Sequence, residues 1–440
     1  MHTHSPELHK AQNRRPVGIE MYQWATDLFP ICRSITGPGV RETLAYFKRL
    51  LPSLVVHSVP SGTRAFDWTV PPEWTIRDAY IADEDGNRIV DFRKHNLHVV
   101  GYSEPVDRWL DRAELDQYLH SLPNQPDAVP NVMSYYVRRW GFCLTDRQRR
   151  ALPPGRYHAV IDSDLKPGVL NYGELILPGR ETREILLSTY ICHPSLANNE
   201  LSGPVVTAAL ARWLTERHDR RFTYRIIFIP ETIGSIVYLS RHHEEMKAKT
   251  IAGFVVTCAG DERTYSYLAS RQGDTLADRV ALHVLSRKVG KFDSYSFLES
   301  GSDERQYCSP GIDLPVCIVM RTKFGCYPEY HTSLDDLSLI SPDGLTGSYD
   351  VIRGCLEVLE ANRVWDRTTL CDPQLGRRGL YPTLTTRDSG LQARKLLNIL
   401  SYADGTRDLI ALAERVDMDA MECDALLRRL AAEELVQQVS

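Results

Sequence analysis

Four short apolar runs alternate with helical patterns between residues 184 and 320, and this alternation limits the possible folds most. The runs are continuous rather than alternating with polar residues, as expected for strands covered on both faces; they read EILLSTYI, YRIIFIP, GFVVTCAG and LPVCIVM. The segments between them have helical spacing and include SGPVVTAALARWLTER, SIVYLSRHHEEMKAK and TLADRVALHVLSRKVG. The pattern predicts an α/β domain with a mostly parallel central sheet flanked by helices.

The rest of the chain indicates two further domains. Within 64–155, the stretch DAYIADEDGNRIVDF has the strand–turn–strand pattern of a hairpin, which predicts an inserted β-rich domain. Within 369–440, three helical patterns precede a short apolar end, LVQQVS, which predicts a winged-helix-like domain. The α/β domain is then expected to consist of 17–63 and 156–368.

Composition excludes several classes of protein. The 440 residues carry 52 basic and 57 acidic side chains, a net charge of −5, which gives no general attraction to nucleic acid or anionic membranes. No apolar run reaches the roughly 18 residues of a membrane-spanning helix, and the opening residues lack the apolar core of a secretory leader. The ten cysteines form no CxxC pair. Reduced cysteines in a cytoplasmic protein are therefore expected.

Polar residues follow the apolar runs, where ligands bind in open α/β sheets. His193 and Glu200 follow the first run, Glu231 follows the second, and His331 comes shortly after the fourth. Imidazole nitrogens and carboxylate oxygens together suit zinc, and a catalytic zinc keeps three protein ligands and one open position. We therefore expect one zinc ion on His193, Glu200 and His331, with Glu231 as the general base on a bound water.

Other interpretations of these residues stay open. The two histidines could be purely structural, and Glu231 could merely favour the N-terminal dipole of the following helix, worth about 0.3–1 kcal/mol. Asp303, in SGSDERQY, could be the third metal ligand instead of Glu200. It could also orient His331 from a position behind the metal.

Five residues are expected to contact the substrate: Asn199, Arg33, Asp303, Arg305 and Tyr330. A guanidinium at Arg33 could hold a carboxylate through two contacts, although a structural ion pair is the favoured alternative. Arg305 has the same two interpretations. Tyr330 could donate to an oxyanion in the transition state, or it could be a packed aromatic side chain.

The segments CHPSLANNELSG, PETIGS, GSDERQY and YHTSLDD resemble the landmark segments of two-metal zinc aminopeptidases. FPICRSITGPGVRETL, YYVRRWGFCL and the C-terminal module resemble one bacterial branch, and the resemblance covers nearly the whole chain. It implies an aminopeptidase-like domain, a nested small β domain and a C-terminal winged helix. Many members of this branch are encoded beside genes for polysaccharide or specialised-metabolite biosynthesis.

The resemblance transfers residue by residue. His193 and His331 match the two metal-binding histidines, and Glu231 matches the general base. The positions of three carboxylate ligands hold Asn199, Thr232 and Thr257 instead. Because a neutral amide does not bridge two dications as a carboxylate does, one zinc ion is expected rather than two.

The leading hypothesis is a zinc-dependent hydrolase of an amide bond in a small peptide-like or aminoacyl substrate. A catalytically inactive sensor or regulatory protein is the alternative, and a non-hydrolytic enzyme of polysaccharide assembly is weaker because the chain has no phosphate-binding loop motif. The basic and acidic residues of the C-terminal module nearly balance, which disfavours DNA binding. No membrane partner is expected, and a homo-oligomer stays open.

Overall fold

The computed structural model describes residues 16–380 and 387–439, with side chains from 391 in the second range. The opening stretch that we interpreted as lacking a leader lies mostly outside these ranges. Twelve α-helices occur in the described residues. Their bounds are α1 Val17–Leu28, α2 Pro38–Leu50, α3 Arg112–Leu115, α4 Asp146–Ala151, α5 Ser202–Glu216, α6 Ile233–Lys249, α7 Leu276–Lys288, α8 Glu304–Tyr307, α9 Pro342–Ala361, α10 Arg387–Tyr402, α11 Leu409–Arg415 and α12 Ala420–Ala432.

The strands of the described residues fall into two larger and several smaller sheets. Their bounds are β1 Val55–Pro60, β2 Arg64–Ala65, β3 Trp68–Thr69, β4 Glu73–Ala82, β5 Arg88–Asp91, β6 Val106–Asp111, β7 Leu119–His120, β8 Phe142–Cys143, β9 Arg156–Lys166, β10 Val169–Leu177, β11 Glu184–Tyr190, β12 Thr223–Ile229, β13 Thr250–Val255, β14 Ser266–Leu268, β15 Asp293–Tyr295, β16 Val316–Met320, β17 Val364–Arg367, β18 Asp404–Asp408 and β19 Val436–Gln438.

The largest sheet has eight strands in the order β1-β10-β12-β11-β13-β16-β14-β15. Its four central strands, β12, β11, β13 and β16, are parallel. The pairs β1–β10, β10–β12 and β14–β16 are antiparallel. The sheet is therefore mixed, and the expectation of a mostly parallel sheet is wrong in this respect.

The reason for this difference is that only the central strands have long apolar sequences. Every residue of β11, β12 and β16 is buried, and these strands have continuous apolar sequences. The reversed strands β10 and β14 are mostly buried as well, but polar residues and a glycine interrupt β10, and β14 has only three residues. Sequence analysis therefore found the central strands and missed the flanking strands that reverse direction.

A second sheet of four antiparallel strands, in the order β5-β4-β9-β6, holds the predicted hairpin β4–β5. Strand β9 pairs with both β4 and β6, so this sheet continues beyond residue 155, where we expected the insertion to end. The boundaries of the three expected domains otherwise stay predictions.

The chain divides into two compact units, and the second consists of 274–292 and 350–440. In this unit, β17 pairs antiparallel with β18 and β19. Asp408 and Asp419 cap α11 and α12 by accepting hydrogen bonds from backbone N–H groups of the first turn. The three C-terminal helices and the final strand follow the order that the sequence predicted.

Two further observations concern the chain as a whole. Among the described helices, none combines the length and the apolar character that a membrane crossing requires. The ten cysteines all lie in the described residues, and no disulfide joins any two of them.

A glycine sets how closely α5 approaches the central sheet. A Cβ atom at Gly203 would lie 2.3 Å from the carbonyl oxygen of Val256 and 2.7 Å from Oγ1 of Thr189. Because the first of these neighbours is backbone, it cannot move aside cheaply. The start of α5 therefore packs directly on the ends of two central strands, beside the residues described below.

We predict that Gly203→Ala lowers the free energy of unfolding by about 1–3 kcal/mol, because the added methyl group overpacks this contact. Urea denaturation followed by circular dichroism measures the loss. Thr215→Ala, on the exposed face of the same helix, is the matched control and should change stability by less than about 0.5 kcal/mol. Equal stability of Gly203→Ala and the wild type would contradict the close packing.

Candidate functional site

The predicted catalytic residues meet at the carboxyl ends of the central strands. His193 follows β11, Glu231 follows β12, and His331 lies in the loop after β16. The rings of His193 and His331 are 5.3 Å apart between centroids. Nε2 of His193 lies 3.6 Å from Oε2 of Glu231. The two histidines and the expected base are therefore in one cluster.

The Glu231 carboxylate is held at the end of β12 and is still accessible. Ser302 donates a 2.5 Å hydrogen bond from Oγ to Oε1 of Glu231, and the Glu231 backbone N–H donates to Sγ of Cys192. The side chain is 22% exposed, whereas that of His193 is 2% exposed. Glu231 is thus the member of this pair that solvent or a ligand can reach.

His193 uses one ring nitrogen for a buried carboxylate. Its Nδ1 lies 2.8 Å from Oε2 of Glu200, and the side chain of Glu200 is fully buried. Sγ of Cys192 lies 3.5 Å from the same nitrogen. This arrangement fixes the ring and leaves Nε2 facing Glu231.

Arg33 lies beneath this cluster and is 1% exposed. Its Nε donates to the backbone oxygen of His193 at 3.0 Å, and its Nη1 donates to the backbone oxygen of Leu28 at 2.8 Å. Nε also lies 3.5 Å from Oε1 of Glu200. The burial of Arg33 favours the structural ion pair as its role. A contact between Arg33 and a substrate stays a prediction.

Asn199 is joined to a network of neutral hydrogen-bonding groups. Its Oδ1 accepts from the Tyr190 hydroxyl at 3.1 Å, and that hydroxyl lies 2.5 Å from Oγ1 of Thr257. The amide nitrogen of Asn199 lies 3.3 Å from Nε2 of His331. Asn199 and Thr257, at two of the three positions where the resemblance implies carboxylates, are therefore joined through Tyr190 and by a 3.1 Å hydrogen bond from Oγ1 of Thr257 to the backbone oxygen of Asn199.

Asp335 connects the His331 loop to the segment after β11. Its carboxylate accepts hydrogen bonds from the backbone N–H groups of Ala197, Asn198 and Asn199 at 2.6–3.1 Å. These three residues begin a π-helical turn, Ala197–Leu201. Buried Asp335 thus fixes where Asn199 and His331 lie relative to each other.

The remaining predicted residues lie around this cluster. Oδ1 of Asp303 accepts from the Thr232 backbone N–H at 2.7 Å and from the Ser235 hydroxyl at 2.8 Å, so Asp303 supports the turn that carries Glu231. Arg305 is exposed and bonds to Ser300. Their substrate contacts stay predictions.

Tyr330 stacks on His331, with ring centroids 4.0 Å apart and planes 13° apart. This contact orients the imidazole, which fits the packed-aromatic interpretation. Donation from the Tyr330 hydroxyl to an oxyanion stays a prediction.

Burial shifts the titration of the site. It raises the pKa of Glu231 and lowers the pKa of His331 to about 3, with a further lowering from His193. Burial also lowers the pKa of His193, but Cys192 and Glu200 outweigh it and hold the net value well above the ordinary one. His193 is therefore the histidine that retains a proton, consistent with its contact to Glu200.

Four non-glycine residues near the strand ends have left-handed backbone conformations. Their φ angles are 46° at Ser195, 62° at Thr232, 45° at Cys258 and 55° at His331. Such conformations cost of order 1–3 kcal/mol each and persist where the surroundings enforce them. The backbone of the site is therefore held against its local preference.

Sequence analysis missed Tyr190, Ser302 and Cys192 as parts of the site. Tyr190 lies in a continuous apolar run, where a buried tyrosine is not distinguishable from a core residue. Ser302 is one residue before the predicted Asp303, so the SGSDERQY segment was noticed for its charges alone. The signal for Cys192 was its position next to His193.

We predict that Arg33→Met lowers the free energy of unfolding by about 3–5 kcal/mol, because it breaks a fully buried ion pair and leaves Glu200 with His193 as its remaining partner. Chemical denaturation measures the loss. Arg41→Met is the matched control, since Arg41 pairs with Glu73 at 2.7 Å but is 41% exposed, and should cost less than about 1 kcal/mol. Equal losses for the two variants would show that Arg33 and Glu200 do not depend on each other.

A second prediction concerns pH. Burial and the nearby charge of Glu231 raise the pKa of Asp303 to about 8. The folded protein then binds this proton more tightly than the unfolded chain, so the free energy of unfolding falls as pH rises from about 4 to about 8. Asp303→Asn should make this fall shallower, as measured by denaturation at several pH values. The exposed Asp85→Asn should leave the slope unchanged, and an unaltered slope in Asp303→Asn would contradict the shift.

Comparison with known proteins identifies the chain's relatives. Residues 22–362 match the family described as a domain of unknown function, DUF4910, and residues 363–438 match a winged helix-turn-helix. A protein of Clostridium acetobutylicum, provisionally named a polysaccharide biosynthesis protein with an aminopeptidase-like domain, is 40% identical over 410 residues. That alignment covers 93% of this chain and 94% of the relative.

Solved structures agree with this relationship. The crystal structure of a C. acetobutylicum protein, provisionally named a peptidase, has a TM-score of 0.92 and 39% identity, and covers 98% of this chain and 99% of its own. A zinc aminopeptidase from Bacillus subtilis has a TM-score of 0.57 at 12% sequence identity, and the match covers 77% of this chain and 94% of that chain. At this identity the comparison shows similarity of fold alone. The chain has an aminopeptidase-like fold followed by a winged helix, and it belongs to the DUF4910 family.

Proposed function

We propose that this chain hydrolyses an amide bond in a small peptide-like or aminoacyl substrate, using one zinc ion. The observation that carries the proposal is the convergence of His193 Nε2 and Glu231 Oε2, 3.6 Å apart, beside His331. Relatives of similar fold include a zinc aminopeptidase, and the named C. acetobutylicum relative has an aminopeptidase-like domain.

The residues present do not fit two metal ions. Asn199 and Thr257 are neutral and bond to Tyr190, while the backbone of Thr232 is bound by Asp303. Two dications close together would lack the carboxylates that offset their charge. One ion fits the charge of the site better.

The donor set for one ion is clearest around Nε2 of His193. Cys192, His193 and Glu200 also form a cluster of possible ligands, but Arg33 lies 3.5 Å from Glu200 and its charge disfavours a dication there. Since Nδ1 of His193 contacts Glu200, Glu200 and Nε2 do not share one ion. We propose that Glu200 fixes the tautomer of His193, as carboxylate partners of metal-bound histidines do, rather than acting as the third ligand.

Asn199 supplies the third ligand in this proposal. Its amide lies 3.3 Å from Nε2 of His331, and the oxygen and nitrogen of an amide can be exchanged without disturbing neighbouring hydroxyls. With the oxygen towards His331, the amide nitrogen donates to the Tyr190 hydroxyl, which donates in turn to Thr257. His193, His331 and Asn199 would then hold the ion.

The protein groups then act on the proton. When bound, zinc supplies Lewis acidity towards a carbonyl and lowers the pKa of a water molecule. Glu231 accepts the proton of the attacking water and returns it to the leaving amine. Its raised pKa suits a group that must both take up and release a proton near neutral pH, and the Ser302 hydrogen bond holds Oε1 so that Oε2 remains available.

A role in polysaccharide or specialised-metabolite biosynthesis extends this proposal. It is supported by the name of the 40% identical relative.

Ion pairs in the C-terminal unit support the absence of a nucleic-acid partner, because several basic residues are already matched by acidic ones. Examples are Arg407 with Asp404 and Arg428 with Asp424, both at 2.6 Å.

The second candidate function is a sensor that has lost catalysis. The observation that favours it is the neutral network of Asn199, Tyr190 and Thr257, which occupies positions that hold ligands in two-metal enzymes. Metal content and turnover separate the two candidates, because a sensor binds a ligand without hydrolysing it.

We predict about one zinc ion per chain in protein purified without chelator and without a histidine tag, measured by plasma mass spectrometry. His193→Ala and His331→Ala should lose the ion because each removes a ligand. Glu231→Gln should keep the ion and lose about 10²–10⁴-fold in turnover of an aminoacyl-coumarin amide panel, because it removes the general base.

His243→Ala is the matched control, since His243 lies on α6 and bonds to its own helix, and it should keep both zinc and turnover. Two ions per chain would overturn the donor set proposed here. No ion after zinc is added back would favour the sensor, and full turnover by Glu231→Gln would contradict the role of this carboxylate.

A further inference from the structure

A large pocket lies beside the site, on the side of the four-stranded sheet. Its volume is about 1060 Å³, enough for a drug-sized group. Aromatic, aliphatic and proline side chains form most of its lining. The lining residues include Asp67, Trp68, Tyr135, Tyr136, Val137 and Arg138.

Two aromatic side chains form an open wall of this pocket. Trp68 and Tyr136 meet edge to face with centroids 5.4 Å apart, and they remain 37% and 51% exposed. The charged side chains of the lining are Asp67 and Arg138, and Arg138 pairs with Glu104 at 2.9 Å. The lining therefore combines an exposed aromatic surface with only two charged side chains, one of which already has a partner.

One segment, 129–138, connects this pocket to the site. At its start, the Asn131 backbone N–H donates to the backbone oxygen of His331 at 2.8 Å. At its end, Tyr135, Tyr136 and Val137 line the pocket. The segment that contacts the proposed metal ligand thus also builds the pocket wall.

Tyr135 lies between the two sites. It lines the large pocket and also a small void that Arg33 and Cys192 line. Sγ of Cys192 accepts the backbone N–H of Glu231 at 3.2 Å. A group in the large pocket is therefore separated from the Glu231 turn by little more than Tyr135 and Cys192.

We infer that this pocket binds a bulky apolar ring of the proposed substrate, on the side of Tyr135 that faces away from Cys192. This inference rests on the proposed hydrolysis for the identity of the ligand as a substrate, but the binding itself does not require turnover. Trp68 and Tyr136 are the specificity-determining residues, because they are exposed aromatic surfaces that a ring can cover.

Calorimetric titration of the full-length protein tests the inference with neutral probes that contain no hydrolysable bond. We expect 2-(2-naphthyl)ethanol to bind at least about tenfold more tightly than 1-propanol, because the ring buries apolar surface. Trp68→Ala and Tyr136→Ala should each weaken naphthylethanol about tenfold. Trp109→Ala is the matched control, since Trp109 is an exposed aromatic that stacks on His158 and does not line the pocket.

Equal binding of the two alcohols, or unchanged affinity in both variants, would overturn the inference. Tighter binding of methyl α-D-glucoside than of naphthylethanol would also overturn it and identify a sugar site instead. Tyr136→Ala is the decisive variant if Trp68→Ala fails to fold, as judged by circular dichroism. A normal naphthyl preference in protein without zinc or turnover would reject the proposed hydrolysis and keep the pocket.

Discussion

The contact between the Asp335 carboxylate and three successive backbone N–H groups, at residues 197–199, holds the site together. It joins two loops more than 130 residues apart in sequence and offers an anion to the start of a helical turn, where backbone donors lack partners. Burial raises the pKa of Asp335 to about 6, yet these hydrogen bonds favour its charged form. Asp335 therefore fixes the loop that carries Asn199 against the loop that carries His331.

Neutral side chains at the ends of the central strands satisfy one another through hydrogen bonds. Asn199 and Thr257 lie where the resemblance to two-metal aminopeptidases implies carboxylates, and Tyr190 bonds to both. Buried polar groups are costly unless they are bonded, so each of these replacements had to find a partner. The carboxylates of the cluster include Glu231, Asp335 and Glu200, and Arg33 and His193 contact Glu200.

Sequence patterns predicted the central strands, the helices between them and the winged-helix-like order, because fully buried strands and amphipathic helices have distinct periods. They did not predict the antiparallel flanks, because polar residues interrupt the apolar sequence of β10 and β14 is only three residues long. Topology alone placed His193, Glu231 and His331 at one sheet edge. The link between Arg33 and Glu200 was out of reach, since 167 residues separate them and no local pattern relates them.

The left-handed backbone at Ser195, Thr232, Cys258 and His331 has an evolutionary consequence. Glycine would adopt these conformations without steric cost, so backbone strain alone would favour glycine at each position. The side chains there must offset this strain through their own contacts, as Ser195 does by donating from Oγ to the backbone oxygen of Phe29. In members of the family whose site is no longer functional, we expect glycine or asparagine to replace these four residues more often. Such substitutions would identify a non-functional site from the sequence alone.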